Sequence, residues 1–471
     1  MINRTLEQVA EMCGARWNKQ DAAIRIAGVG TDSRRVTAGQ LFVPIVGDRF
    51  DGHDYVKQAL LDGASASLWE RGRAVPEELA EAPLLLVKDT LKALQQLAAA
   101  YREELYVRVI GITGSNGKTT TKDMVAAVLG TSYKVHKTEG NLNNHIGLPL
   151  TVLQLDEETD CAVLEMGMSG FGEIELLTNI AKPDIAVITN IGDAHLQQLG
   201  SREGIAKAKL EIAQGLQSRG LLLYNGDEPL LKAELARTPL PEGTELQTFG
   251  LQSDNDWAAD NIEIGAVSSA FAVSRQGHAD AGAVYEIPVP GQHNVSNALA
   301  AIAVGRRLGI SGEQIREGLA GLTLTGMRIQ PVRAYNGAMI LNDAYNANPT
   351  AVRAAIDLVG QLEGFRKKWI VLGDMFELGP DEAKLHHETG AYVTPEKAEA
   401  VLTCGTLSTH TSEGARVSFG DLADDDSIVH FDDKEKLADW LKARLAPDDL
   451  VLVKGSRGMR MEQIVQTLEA G

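Results

Sequence analysis

Residues 109–130 read VIGITGSNGKTTTKDMVAAVLG. An apolar run suited to a β-strand passes into a glycine-rich turn, then Lys118-Thr119-Thr120, then a pattern of helical period. That order makes a phosphate cradle. Gly114 and Gly117 let backbone N–H groups approach an anion, and the positive end of the following helix faces it. Ser115, Asn116 and Thr120 fill out the loop; Lys118 can reach the β- and γ-phosphates, and the Thr119 hydroxyl can bind Mg²⁺. The usual nucleotide loop has a glycine, four residues, then Gly-Lys. Here the place of that first glycine holds Ile112.

Outward from this stretch, apolar runs alternate with helix-like runs. VRVIGIT, CAVLEM, DIAVITNI and GLLLYN lie in the middle of the chain; AMILNDAYN, KWIVLGDM, AEAVLTCG and LVLVKGSRG follow Gly326. Such alternation predicts an α/β protein with parallel sheets covered by helices on both faces. The first part mixes shorter strands (QLFVPIVG, ASASLWE, PLLLVKD) with helices (HDYVKQALLDGA, LKALQQLAAAYREEL). A chain of 471 residues exceeds one ordinary core, and three domains are expected at 1–105, 106–325 and 326–471.

Composition narrows the class. With 44% hydrophobic and 23% charged residues the chain reads as globular. A formal charge of −19 repels phosphate backbones, so no nucleic-acid partner is expected. Cys13, Cys161 and Cys404 are scattered without metal spacing; neither a disulfide framework nor a zinc site is expected, and a reducing cytoplasm fits. The opening MINRTLEQVAEMCG lacks an apolar signal region and reads as a short amphipathic helix. No apolar run is long enough for a bilayer, so no membrane partner is expected.

In open parallel sheets, ligands bind beyond the carboxyl ends of the strands. Glu165 ends CAVLE and reads equally as an Mg²⁺ ligand or a carboxylate in solvent. His195 follows the next strand in TNIGDAH, which favours metal over a structural role. Lys207 lies between Glu203 and Glu211 on a salt-paired face, whereas Lys209 shares the face of Ile205 and Ile212. Periodicity alone makes Lys209 a lysine whose stem covers apolar surface. A carbamate formed with CO₂ would turn it into an anionic Mg²⁺ ligand.

Taken together, these pieces resemble the Mur ligase family, ATP-dependent amide-forming enzymes of peptidoglycan precursor synthesis. The loop ITGSNGKTT is similar to that family's own variant, which explains Ile112. EMG (165–167), TNIGDAH (189–195), AKAKLEI (206–212), GQHNVSNALAA (291–301), GMR (326–328) and NDAYNANP (342–349) match in order along the chain. The resemblance implies three domains: an N-terminal α/β uridine-binding domain, a central phosphate-loop ATPase domain with a parallel sheet, and a mobile Rossmann-like C-terminal domain. It implies ATP and two Mg²⁺ ions, with metal at Thr119, Glu165 and His195, and a carbamylated Lys209. It places Asn294, Asn297, Arg328 and Asp343 against the nucleotide, and Lys118, His195, Lys209 and Arg328 at the chemistry.

TEGNLNNHIGLP (138–149), GDMFELG (373–379) and VLVKGSRGMRMEQIV (451–465) look most like the branch that adds D-alanyl-D-alanine to a UDP-N-acetylmuramoyl-tripeptide. The D-N-P-R motif of the branch adding the third residue is absent. That likeness implies substrate contacts from Ser33, Arg34 and Arg49 at the uridine end. Asn141, Asn143, Asn144 and Asn346 fall at the reacting end, with Lys454, Ser456 and Arg457 for the dipeptide carboxylate. A monomer is expected. Folylpolyglutamate synthetase and a regulatory nucleotide switch are the rival readings; GNLNNHIGLP argues against the first.

Overall fold

The computed structural model covers residues 1–47, 49–275 and 277–470, with the backbone alone for 279–283. Among the described residues the strands form four sheets. Near the N-terminus, Asn3–Thr5 pairs with Arg25–Ala27 antiparallel, and a parallel sheet runs Val29–Gly30, Leu41–Phe42, Ala66–Glu70, Leu84–Val87.

The central sheet has nine strands. Its parallel part runs Val135–Lys137, Cys161–Glu165, Arg108–Thr113, Ile185–Ile188, Leu221–Asn225, Glu245–Gly250, Trp257–Ile264. Two further antiparallel strands, Ser269–Arg275 and His278–Ile287, extend the edge. Sequence alternation did not anticipate that extension. Register puts Ile112 opposite Glu165 and Thr113 opposite Ile188, so three strands end at one level. The loops that leave these strands therefore converge on one rim.

The C-terminal sheet runs Gln330–Arg333, Met339–Asp343, Leu450–Lys454, Lys368–Gly373, Ala400–Cys404, Ile428–Phe431; only the first pair is antiparallel. Asp343 and Lys454 are register partners at its rim. The inner parallel strands are largely apolar, as burial on both faces requires: Cys161–Glu165, Ile185–Ile188 and Leu450–Lys454 are buried at every position.

The domains share apolar cores. One buried cluster joins Ile2, Leu97 and Tyr101 to Leu148, Leu164 and Ile205; another joins Val128 and Leu299 to Leu341 and Val352. Arg102, on the helix Thr90–Glu104, is buried and donates to the carbonyls of Ala181, Leu105 and Val107 at 2.9–3.1 Å. It fixes the start of the central sheet to the end of the preceding domain.

Candidate active site

The phosphate loop opens the helix Lys118–Leu129. Gly114 (φ 145°) and Gly117 (φ 78°) both lie in backbone that favours glycine. A Cβ on Gly114 would collide with Thr189 Oγ1, and one on Gly117 would stand 2.6 Å from Asn297 Oδ1. Gly117 offers no side-chain cap, so the first helical N–H groups stay available to an anion. Two loop N–H groups are already spent: Ser115 donates to Asn190 O at 3.0 Å and Asn116 to Asn190 Oδ1 at 2.9 Å. Lys118 Nζ folds back on the carbonyls of Gly114 (2.8 Å) and Ser115 (3.3 Å). Burial pushes its pKa down, Glu165 opposes that, and Arg328 adds to it.

Thr119, in the first turn of that helix, and Glu165, at the end of the neighbouring strand, meet directly, Thr119 Oγ donating to Glu165 Oε2 at 2.8 Å. Asn143 donates to the other oxygen, Oε1, at 2.8 Å, and Thr138 Oγ accepts the Glu165 N–H at 2.9 Å. Among the described residues, no group of three or more His, Cys, Asp or Glu could hold a metal alone. A hydroxyl and a carboxylate do suit Mg²⁺, which takes few protein oxygens and completes its shell with phosphate and water.

His195, at φ 62°, places Nδ1 2.7 Å from Glu377 Oε2 of the C-terminal domain. The contact becomes an ion pair when the imidazole is protonated. Burial and the Lys209 charge lower the His195 pKa more than Glu377 raises it. Lys209 is 1% exposed on the helix Arg202–Leu210. Burial first, then the Lys118 charge, drive its pKa well below normal. Ile212, expected on the same α-helix, falls in a 3₁₀ turn (Glu211–Gly215) and is buried there.

A cavity of about 440 Å³ joins these groups to the C-terminal domain. It is lined by Ser115 through Thr120, Glu165 and His195 from the loops, and by Asn143 and Asn144. Asn294 and Asn297 line it from the helix Gln292–Arg307; Arg328, Asp343, Asn346 and Lys454 line it from the far side. Asn144 Oδ1 accepts the N–H groups of Ile146 and Gly147, a backbone task. Lys454 Nζ is ion-paired with Asp343 and donates to Asn346 O at 3.0 Å, so its charge is shared before any ligand arrives.

Arg457 pairs with Glu462 at 2.9 Å. Ser456 accepts the Phe376 N–H at 2.9 Å. Neither they nor Asn141, Ser33, Arg34, Arg49 or Lys209 line the cavity. Arg34 is tied bidentately to Asp32 on the exposed face of the N-terminal domain.

Sequence reasoning passed over several cavity residues. Tyr345 carries Arg328, whose guanidinium lies 4.1 Å from the ring centroid. His293 is half-buried at the start of the asparagine-bearing helix, and desolvation there lowers its pKa. Asn348 Nδ2 donates to Asn116 Oδ1 at 2.8 Å, and Thr350 Oγ to Asp193 Oδ2 at 2.7 Å, bridging C-terminal and central domains. The only sequence sign was the run of polar residues after a strand end.

Known proteins share this fold. Residues 25–102, 112–305 and 327–457 match in turn the Mur ligase family catalytic domain, the Mur ligase middle domain and the Mur ligase glutamate ligase domain. The UDP-N-acetylmuramoyl-tripeptide–D-alanyl-D-alanine ligase of Bacillus subtilis (strain 168) is 49% identical over 469 residues, 99% of each chain. This chain belongs to the Mur ligase family. MurF from Acinetobacter baumannii superposes with a TM-score of 0.87 at 30% identity, covering 100% of both chains. MurF ligase from Thermotoga maritima, solved in complex with ADP, gives 0.81 at 29% identity, covering 94% of this chain and 97% of that one. The Mur ligase architecture thus runs through all three domains, and the phosphate loop lies at the head of the middle one.

Proposed function

We infer that this chain is an ATP-dependent ligase that joins D-alanyl-D-alanine to the terminal carboxylate of a UDP-N-acetylmuramoyl-tripeptide, making the UDP-linked pentapeptide of peptidoglycan synthesis. The carrying observation is the 49% identity, end to end, with the B. subtilis ligase named for those substrates. We place it in the cytoplasm, in keeping with three free, buried cysteines.

A carboxylate and an amine do not condense at neutral pH because oxide leaves poorly. Transfer of the γ-phosphoryl group of ATP to the carboxylate makes an acyl phosphate. The dipeptide amine attacks its carbonyl carbon, the carbon–oxygen bond to phosphate breaks, and inorganic phosphate leaves. Lys118 would turn from the loop carbonyls to the phosphates, joining the free N–H groups of the helix end. Mg²⁺ at Thr119 and Glu165, with a second ion at His195 and carbamylated Lys209, would neutralise phosphate charge. A depressed lysine pKa favours the neutral amine that CO₂ requires, which supports the carbamate.

Asn294 and Asn297 would hold the nucleotide, with Arg328 and Asp343 closing on its phosphate and ribose. Ser33, Arg34 and Arg49 take the uridine end. Asn141, Asn143, Asn144 and Asn346 border the reacting end. Arg457 takes the dipeptide carboxylate, and Lys454 orients Asp343. Closure by the C-terminal domain keeps water from the acyl phosphate.

The test is phosphate release from Mg·ATP with each substrate alone and with both. Release that needs both, with the UDP-linked pentapeptide found by mass, is expected. Release without either, or only with another acyl carrier, overturns the reading.

A further inference from the structure

Outside the cavity lies a buried cluster that none of these steps uses. Asp123 follows Thr119 by one turn on the phosphate-loop helix, and its side chain is fully buried. Its oxygens are divided between two sets of donors. Oδ1 accepts from Lys122 Nζ at 2.9 Å and Lys137 Nζ at 2.7 Å. Oδ2 accepts the N–H and the hydroxyl of Thr325, each at 2.8 Å. Thr325 lies between the central and C-terminal sheets, three residues before Arg328.

The cluster reaches further. Lys122 Nζ also donates to Thr138 O at 2.9 Å, and Thr138 Oγ holds the N–H of Glu165. One buried ion pair therefore joins the phosphate-loop helix, the strand feeding the asparagine loop, Glu165 and the inter-domain segment. Burial alone would raise the Asp123 carboxyl, but Lys122, Lys137 and Thr325 hold it below the usual range. Met327 (φ 63°) and Ile329 (φ 48°) flank Arg328 in the left-handed region. Two such non-glycine residues persist only where their surroundings hold them.

We propose that Asp123 is a positioning residue: it pins the pivot of the C-terminal domain to the phosphate-loop helix at Thr325, and so delivers Arg328 to the γ-phosphate of ATP, a group that ADP lacks. The proposal rests on the ligase reading for its kinetic test, and a scattering readout makes the two separable.

Thr325→Val removes one donor to Asp123 and keeps the shape; Thr325→Ser restores the donor. In the full-length enzyme, Thr325→Val is expected to lower kcat about tenfold, the scale of a hydrogen bond to a charged group. ADP affinity by calorimetry should hold, and Thr325→Ser should recover kcat. With ADP bound, the Val variant should also show a larger radius of gyration by X-ray scattering, whichever substrates the enzyme joins. Unchanged kcat and radius would overturn the proposal. So would ADP affinity falling in step with kcat, since the contact would then only shape the loop. Should the Val chain fail to fold, Thr325→Ala serves the same comparison.

Discussion

Lys122 and Lys209 are each 1% exposed on helices of the same domain, yet their surroundings treat their charge in opposite ways. Lys122 Nζ has Asp123 and the Thr138 carbonyl, both at 2.9 Å, so its charge is matched where it lies. Lys209 meets burial and the charge of Lys118, and the opposing pull of Glu211, Glu165 and Glu173 is weaker. Burial alone does not tell a structural lysine from a chemically poised one. The counter-charge does: with it the ammonium is a strut, without it the amine is pressed toward its neutral, nucleophilic form.

Removing the charge that presses on Lys209 has the largest expected effect, because Lys118 is also the lysine proposed to hold the phosphates. Lys118→Ala should cut turnover by at least about a thousandfold, with circular dichroism unchanged. Retained turnover would strip the loop of its role and the comparison of its cause. Next, Lys209→Ala should lose activity by about a hundredfold or more, with partial recovery on adding a short-chain carboxylic acid. Wild-type enzyme given ¹³CO₂ should show a carbamate carbon signal that the variant lacks. Full activity without additive, or no signal in wild type, would make Lys209 a space-filling lysine. Lys122→Met should instead destabilise the fold by about 3 kcal/mol in denaturant titration, because it strips a partner from buried Asp123. Short-chain acids should do nothing for it. Recovery by acid would erase the distinction between the two lysines.

How much of the molecule is legible in its sequence depends on sequence distance. The phosphate loop is contiguous, and its glycines, lysine and threonine announce themselves within seven residues, Gly114 to Thr120. Glu165 was legible as a strand end, because parallel strands collect their ligands there. Lys209 was ambiguous, since helical periodicity puts it inside but says nothing of what it meets there. The Asp123–Thr325 contact spans 202 positions and had no local sign. Nor did the Arg328–Tyr345 stack, which depends on how two domains face each other. Lys454, expected at the dipeptide carboxylate, is held by Asp343, a strand-register effect visible only once the sheet order is known. The antiparallel edge was missed because Ser269–Arg275 and its neighbour Trp257–Ile264 mix polar with apolar residues, unlike the apolar strands that carried the reading.

The smallest effect carries the finest test, and it is a matter of sign. Lys209 has its folded-state pKa well below 10.5. Between that depressed value and 10.5, the unfolded chain holds a proton that the folded chain has released. Stability attributable to Lys209 must therefore rise with pH across that window, the reverse of a lysine that gains a partner on folding. In CO₂-free buffer, Lys209→Met should be the more stable chain at neutral pH, by at least about 1 kcal/mol, since an uncompensated buried charge is gone. Its advantage should shrink as pH climbs toward 10.5, where wild type no longer loses a proton on folding. Lys122→Met should lose stability under the same conditions. Denaturant midpoints at several pH values measure all three chains. Equal stability of wild type and Lys209→Met throughout would mean that the Lys209 ammonium reaches solvent or a counter-charge. The carbamate would then lose the physical pressure that favours it.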